Sequence, residues 1–383
     1  MSASRPSSLA EKPLLPHPEV ESKPRHHASP VLVIHGGAGI SISREKSTPE
    51  QREAYKEALR RALRAGYAVL QAGGEAMDAA IAAVTVMEDC PLFNAGKGAV
   101  FNVDGKNELE ASLMLSKPPA SHPSIPATRR GFALTLLTRV RNPSKVARAL
   151  YLSPDLVPHV LLSGSNAEHI GEQLGEQLVD PSYFWTEKRW KEHRSALGLP
   201  ETPYPPGTSP SPDEPTSPFL DQLPTGTVGA IALDARGCIS CVTSTGGITN
   251  KLVGRIGDTP SMGSGFWAEQ WEVRGRLRRA WRKMLGKRER AVGVSGTGNG
   301  DYFIRQASAA AVAHRMRYNH DSVSKAAKHV VEDLRRDGGV GGLIALDDEG
   351  NIAMPLDCPG MYRGVIRRDG VPKVAIFNDE KVE

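Results

Sequence analysis

Hydrophobic residues in this chain fall into short unbroken runs between glycine-rich turns and into stretches of helical spacing. The first run, Pro30 to Ile34, predicts a strand that feeds His35-Gly-Gly-Ala-Gly39, where glycines allow close backbone approach to a ligand or another strand. Thr48-Pro49-Glu50-Gln51 then supplies a cap, a proline in the first turn and a Gln three residues after the Thr. Tyr55, Leu59, Leu63, Tyr67 and Leu70 follow at helical spacing, and Gly73-Gly74 ends the helix. A second helix of small apolar residues runs from Ala76 to about Met87 and leads into a loop, Glu88 to Gly98. Strands are expected at Gly98–Val103 and Leu109–Met114, and a helix at Pro143–Tyr151.

The most continuous apolar run is Val228 to Leu233, which suits a strand covered on both faces. The turn Asp234-Ala-Arg-Gly237 returns it through Cys238 to Thr243 as a hairpin, which carries Thr245 back towards Thr227. Val292 onward reads as a strand turning through glycines into a helix from Tyr302 to about Arg317; backbone N–H groups at such a turn suit an oxyanion. A last helix, Ser322–Arg336, has Asp321 as its expected cap and Gly338-Gly339 as its stop, before a final hairpin, Gly342–Leu346 and Asn351–Pro355.

Composition changes this picture in three places. Met1 to Ser29 is rich in Ser, Pro, Lys and Glu without an apolar core, so a disordered tail is expected, neither a secretory signal nor a transit peptide. Residues from about 195 to 226 are dominated by Pro, Ser, Thr and Asp, a linker composition that ends just before Thr227. Residues 266–290 carry Trp267, Trp271 and Trp281 among nine Arg and Lys, and much of the net charge of +5; they read as a basic helical insertion. Its solvated face could dock on a membrane surface or acidic partner, or simply decorate the fold. The remaining charge is unremarkable and calls for no nucleic acid. Four cysteines in 383 residues make no disulfide scaffold and fit a reducing, cytoplasmic setting. Cys238 and Cys241 sit three apart on a strand and point to opposite faces. No apolar run approaches the ~18 residues of a membrane span. The Gly-rich turn after the first strand lacks both the GxGxxG spacing and a following Gly-Lys-Ser/Thr of nucleotide sites.

Candidate chemistry gathers around Gly226-Thr227. A hydroxyl there can attack the carbonyl of Gly226; if the chain breaks, Thr227 holds both a nucleophile and its own base, an α-amine titrating near ~8. Thr227 as an ordinary β-branched strand residue is the alternative. Asn94 is either a turn residue or an amide donor to a reacting carbonyl. Arg255 and Asp258, unlike charges three apart in a Gly-rich turn, are either a surface ion pair or a clamp for a zwitterion.

Six blocks occur together and in order: His35-Gly-Gly-Ala-Gly39, Cys90-Pro-Leu-Phe-Asn-Ala-Gly96, Gly226-Thr-Val-Gly-Ala230, Thr243-Ser-Thr-Gly-Gly247, Gly254-Arg-Ile-Gly-Asp258 and Thr297-Gly298. With them the chain resembles the plant-type asparaginase and isoaspartyl peptidase family of N-terminal-nucleophile hydrolases. The resemblance implies an α+β fold, a four-layer αββα sandwich over residues 30–383, cut by itself into an α chain, 1–226, and a β chain, 227–383. It implies hydrolysis of the side-chain amide of L-asparagine and of β-aspartyl peptides through a threonine ester. Thr227 would be the nucleophile, tuned by Thr245. Asn94, Thr297 and Gly298 would hold the oxyanion, and Arg255 and Asp258 the substrate, with Thr297 and Gly298 beside them. It also implies no required cofactor, a structural sodium ion on the backbone carbonyls of Met87, Glu88, Cys90, Phe93, Ala95 and Lys97, and a dimer of cleaved units. Glycosylasparaginases and taspase-like proteases are similar but usually carry Asp before the nucleophile, where this chain has Gly226. A non-catalytic binding protein on the same fold is the remaining alternative.

Overall fold

The computed structural model describes residues 28–200, 226–273 and 289–382. Nearly all of the expected N-terminal tail, most of the linker and the centre of the 266–290 segment lie outside these residues.

Strand β1 (Val31–Gly39) runs straight through the glycine motif and does not stop at Ile34. Its pairing slips between His35 and Ala38, a bulge that Gly37 makes possible with φ of 115°. Helix α1 (Pro49–Gln71) begins with the expected capping box between Thr48 and Gln51 and buries Tyr55, Leu59, Leu63, Tyr67 and Leu70. Helix α2 (Ala76–Glu88) packs against it. The expected strand at Gly98–Val103 is absent: a 3-10 turn covers Gly96–Gly98 and only an isolated bridge, Asn102 to Lys251, follows. Strands β2 (Leu109–Leu115) and β3 (Gly131–Leu137), helix α3 (Pro143–Tyr151), strand β4 (Leu161–Ser163) and helices α4 (Gly164–Gln173) and α5 (Glu187–Ala196) complete the part before the linker.

After the linker come β5 (Val228–Leu233), β6 (Ile239–Thr245), β7 (Phe266–Glu272) and β8 (Glu289–Gly298). Both ends of the expected basic helix are therefore strand: Trp267 and Trp271 lie on β7, whose pairing with β8 runs from Phe266–Ser295 to Glu272–Glu289. The helix expected from Tyr302 to Arg317 is two, α6 (Gly300–Gln306) and α7 (Ser308–Tyr318), divided at Ala307 with φ of 48°. Helix α8 (Val323–Arg336) is capped by the Ser322 hydroxyl; Asp321 instead pairs with Arg315 at 3.0 Å and Lys325 at 2.8 Å. The last hairpin, β9 (Gly341–Asp347) and β10 (Ile352–Ala353), is followed by β11 (Gly360–Ile366) and β12 (Lys373–Phe377), which the sequence reading did not anticipate.

The strands form an eight-stranded sheet, ordered β12-β11-β1-β5-β6-β2-β3-β4, and a four-stranded sheet, β10-β9-β8-β7. Alternation along β5 explains why they stack. Val228, Ala230 and Ala232 face a core shared with α1, α2 and α3. Ile231 and Leu233 face a second core that contains Phe266, Ala268, Ile344 and Leu346 of the other sheet. The far face of that sheet packs on α7 and α8 through Val292, Val294, Leu343 and Ala345. Cys238 belongs to the first core and Cys241 to the second, so the two thiols do face opposite ways, and all four cysteines are free. Among the described residues no helix is long and apolar enough to cross a membrane.

Candidate active site

The start of β5, the end of β6 and the end of β8 meet at one rim of the stacked sheets around a cavity of about 130 Å³. Ala38, Asn94, Glu110, Gly226, Thr227, Thr245, Arg255, Asp258, Gly298 and Gly300 contribute to its wall. Residues from seven separate segments thus converge there, and seven of the eight expected site residues are among them. The eighth, Thr297, stands just behind the wall, its hydroxyl against Gly226.

Thr227 is buried at the mouth of β5, one residue before the pair Val228–Ser244. Thr245 lies on the neighbouring strand and is paired with Glu110 on β2 beyond it. The Thr227 hydroxyl has Thr259 Oγ1 as its neighbour at 3.4 Å, whereas Thr245 Oγ1 accepts from Gly247 N at 3.0 Å. Thr259, one residue past the Arg255–Asp258 block, escaped the sequence reading. The only sign of it was another hydroxyl next to a charged motif.

Gly226 is glycine for reasons of space. A Cβ there would lie 2.6 Å from Thr297 Oγ1, which itself accepts from Ala38 N at 3.3 Å. Gly298 adds a conformational demand: its φ is 143°, and a Cβ would meet the Val340 carbonyl at 2.2 Å. Asn94 is held rigidly. Its side-chain oxygen accepts from Val100 N at 3.0 Å, and one amide hydrogen goes to Gly247 O at 2.7 Å. A carboxamide has two N–H donors, so the second remains for a ligand. The loop after β6 is steadied from outside by α5, where Asn250 Nδ2 donates to His193 O at 3.1 Å.

The charged side of the cavity is more buried than a surface ion pair. Arg255 donates from Nη2 to Asp301 Oδ1 at 3.0 Å, while its Nε has no hydrogen-bond partner. Asp258 is 5% exposed, and its Oδ2 is unpartnered. Burial, and then the nearby carboxylate of Glu110, raise its pKa to about 7. Glu110 was not foreseen, although an acid inside the run Leu109–Leu115, every residue of which is buried, was a legible anomaly.

Behind Thr227 a neutral polar chain fills the space between the sheets. His35 Nε2 and Ser295 Oγ are 2.7 Å apart, and Ser295 Oγ and Thr243 Oγ1 are 3.3 Å apart. Burial lowers the His35 pKa to about 3, offset only in part by the Thr227 backbone beside it, so the ring is neutral at physiological pH. A buried nucleophile candidate, a fixed amide donor and an unlike-charged pair around one small cavity suit attack on the carbonyl of a small zwitterion.

Comparison with known proteins decides the family. The family model described as asparaginase matches residues 28–273 and 288–376. This chain belongs to the asparaginase family. The interruption of the match falls inside the basic segment between β7 and β8. The isoaspartyl peptidase of Escherichia coli (strain K12) is 36% identical over 351 residues, covering 91% of this chain and 97% of the relative. An isoaspartyl peptidase of Salmonella typhimurium is 36% identical over 350 residues, covering 91% and 99%. The isoaspartyl peptidase/L-asparaginase of Xenopus laevis is 32% identical over 354 residues, covering 92% and 96%. The asparaginase family thus extends over both halves of this chain, on either side of the linker.

Proposed function

We propose that the protein is an amidohydrolase that activates itself by cutting between Gly226 and Thr227 and then cleaves the side-chain amide of L-asparagine and of β-aspartyl peptides. The observation that carries this reading is the position of Thr227: a buried hydroxyl at the first turn of chain before a central strand, sharing a small cavity with Arg255 and Asp258. Near-full-length similarity to isoaspartyl peptidases supports the substrate class.

In the first step Thr227 Oγ adds to the Gly226 carbonyl, the amide C–N bond breaks, and water hydrolyses the resulting ester. The products are a carboxylate on Gly226 and a free amine on Thr227. Thr297 Oγ1, which lies against Gly226, would donate to the oxyanion of that step. In turnover the amine takes the hydroxyl proton and the oxygen attacks the substrate amide carbon. Asn94, through its second amide hydrogen, and Gly298 stabilise the tetrahedral oxyanion, and ammonia or an amine leaves with a proton. Water then releases aspartate from the threonine ester. Arg255 takes the α-carboxylate in a fork, which requires it to loosen its hold on Asp301; Asp258 takes the ammonium. Thr245, on the strand next to Thr227, would tune the nucleophile, its own hydroxyl being fixed by Gly247 N.

The two packed sheets with helices outside them support the four-layer αββα arrangement of N-terminal-nucleophile hydrolases. The loop from Met87 to Lys97 suits a structural sodium ion. Its backbone folds tightly on itself, with carbonyls of Glu88, Pro91 and Phe93 packed close against Gly96 and Gly98. Such hard oxygens suit a hard cation. Carbonyls of Met87, Glu88, Cys90, Phe93, Ala95 and Lys97 would hold it, and it would stiffen the segment that carries Asn94. We further propose a cytoplasmic dimer of cleaved units, in keeping with four free, buried thiols.

The test is a denaturing gel with N-terminal sequencing, alongside ammonia release from L-asparagine and amine release from a β-aspartyl dipeptide. Two fragments, the smaller beginning at Thr227, and turnover of either substrate are expected. A single full-length band with full activity overturns the reading.

A further inference from the structure

Gly298, given the oxyanion above, closes the ladder between β8 and β9: it is the last residue of β8 and pairs with Gly341, the first of β9. The two backbones lie so close that neither glycine could carry a side chain. A Cβ on Gly298 would sit 2.5 Å from the Gly341 Cα, and a Cβ on Gly341 would sit 2.4 Å from the Thr297 carbonyl oxygen. Asn299 N, one residue further on, donates to Val340 O at 2.8 Å. The backbone of Gly298, with its φ of 143°, is therefore set by where Val340 and Gly341 stand.

Gly341 is gripped in turn by a single residue. Asp357 Oδ1 accepts from Gly341 N at 2.6 Å, and Asp357 N donates to Gly341 O at 3.0 Å. The residues alongside extend this support: Leu343 N donates to Pro355 O at 3.1 Å, and an isolated bridge joins Gly342 to Leu356. Residues 355–357 thus form a further line of chain beside the start of β9. Asp357 does not itself reach the catalytic cavity. It borders a separate cavity of about 720 Å³, between α8 and residues 378–382. It also carries a cost that an ordinary turn residue avoids: its Oδ2 is buried without a hydrogen-bond partner, and burial raises its pKa. What it offers in return is a charged acceptor, which makes a shorter and stronger bond to an N–H than a neutral one does.

We propose that Asp357 is a positioning residue for the oxyanion: by clamping Gly341 through two hydrogen bonds, it fixes the backbone of Gly298 where the tetrahedral oxygen forms. This rests on the amidohydrolase reading for what Gly298 does, but not for the hold of Asp357 on Gly341 and, through it, on Gly298. The clamp acts from the side of β9 away from substrate, so its loss leaves Arg255, Asp258 and the nucleophile in place. Preorganised donors to an oxyanion act on the transition state more than on the bound substrate. Loosening Gly298 should therefore slow the chemical step and spare affinity.

The experiment measures kinetics with L-asparagine for the wild-type protein, Asp357→Ala and Asp357→Asn, with rates normalised to the amount of protein cleaved before Thr227. Amide hydrogen exchange, read by mass spectrometry, runs in parallel. Asp357→Ala is expected to lower kcat roughly ten- to thirtyfold, part of the ~10²–10³ that a lost oxyanion donor costs, with KM within about twofold. Asp357→Asn keeps an acceptor oxygen in the same place and should hold kcat within about threefold of the wild type. Exchange over residues 297–299 and 340–342 should quicken in Asp357→Ala while the rest of the fold keeps its rates. An unchanged kcat in Asp357→Ala, a change confined to KM, an Asn variant as slow as the Ala variant, or exchange that quickens evenly over the whole fold overturns the proposal. Asp357→Ser, which withdraws the acceptor but leaves a polar atom, should fall between the other two and serves if the Ala variant does not fold. A wild-type protein that releases no ammonia, with exchange over 297–299 quickened locally in Asp357→Ala, supports the hold on Gly298 while overturning the hydrolytic reading.

Discussion

Two buried aspartates divide the labour of this molecule. Asp347, 1% exposed at the end of β9, is saturated: Oδ1 accepts from Glu349 N at 3.0 Å and Asn351 N at 2.9 Å, and Oδ2 from Asn351 Nδ2 at 3.0 Å and Arg290 Nη2 at 3.2 Å. Asp258 is almost as inaccessible and lies on the cavity wall, but its Oδ2 has no hydrogen-bond partner. Burial raises the pKa of both; only Asp258, with Glu110 facing it as well, is carried to about 7. A carboxylate with every lone pair answered locks a turn. One with a lone pair left unanswered beside a ligand-sized cavity is held in a costly state for something that comes and goes.

That contrast can be broken most severely at Asp258. Asp258→Asn should reduce kcat/KM for L-asparagine by roughly 10²–10³-fold, the cost of removing one side of a buried ionic contact, with the fold intact by circular dichroism. Asp347→Ala should do the reverse: a loss of about 2–4 kcal/mol in a urea titration, from stranding several donors at once, with unchanged kcat/KM for the fraction that is folded. A pH series sharpens the comparison further. Because the Asp258 pKa is raised to about 7, its charged form gains as pH climbs through that value, so kcat/KM for L-asparagine should rise up to about tenfold per unit below pH 7. The burial shift works the opposite way on stability. An acid whose folded pKa is raised stabilises the fold fully below its unfolded pKa, and that contribution is lost as pH rises through about 7. Activity and thermal midpoint should thus move in opposite directions over this range, and Asp258→Asn should flatten both limbs. The smallest effect belongs to Asp301, whose side chain is half exposed: Asp301→Asn should change the KM for L-asparagine by no more than about threefold, since exposed pairs are worth little.

The same division explains what could be seen from the sequence. Helix α1 was legible down to its capping box because local signals, Thr48, Pro49 and Gln51, coincide with apolar spacing. Strand β5 was legible because both of its faces are apolar. The break at Ala307 was not, since no glycine or proline marks it: the first N–H groups of α7 are drawn off by distant carbonyls, Ala309 N to Ser264 O at 3.0 Å and Ala310 N to Gly263 O at 2.8 Å. Likewise the basic segment around Trp267 and Trp271 matched a helical period, but pairing with β8 overrode it. In the site, the residues named in advance all sit in glycine-rich blocks. Glu110, Thr259 and Ser295 reach the site or its backing from strand interiors and loop ends, where their meaning depends on which strand lies alongside, and a linear reading carries no such information.

The order of the strands has a last consequence for a chain severed before Thr227. β1 would belong to one piece but is wedged between β11 and β5 of the other, and β6 of the second piece lies against β2 of the first. The halves would be woven like interlocked fingers, joined by hydrogen-bonded ladders between their strands and by the packing of α1 and α2 on β5, β6 and β11. They would travel together through any native column, refuse to swap with halves from another molecule, and part only when the whole weave is undone.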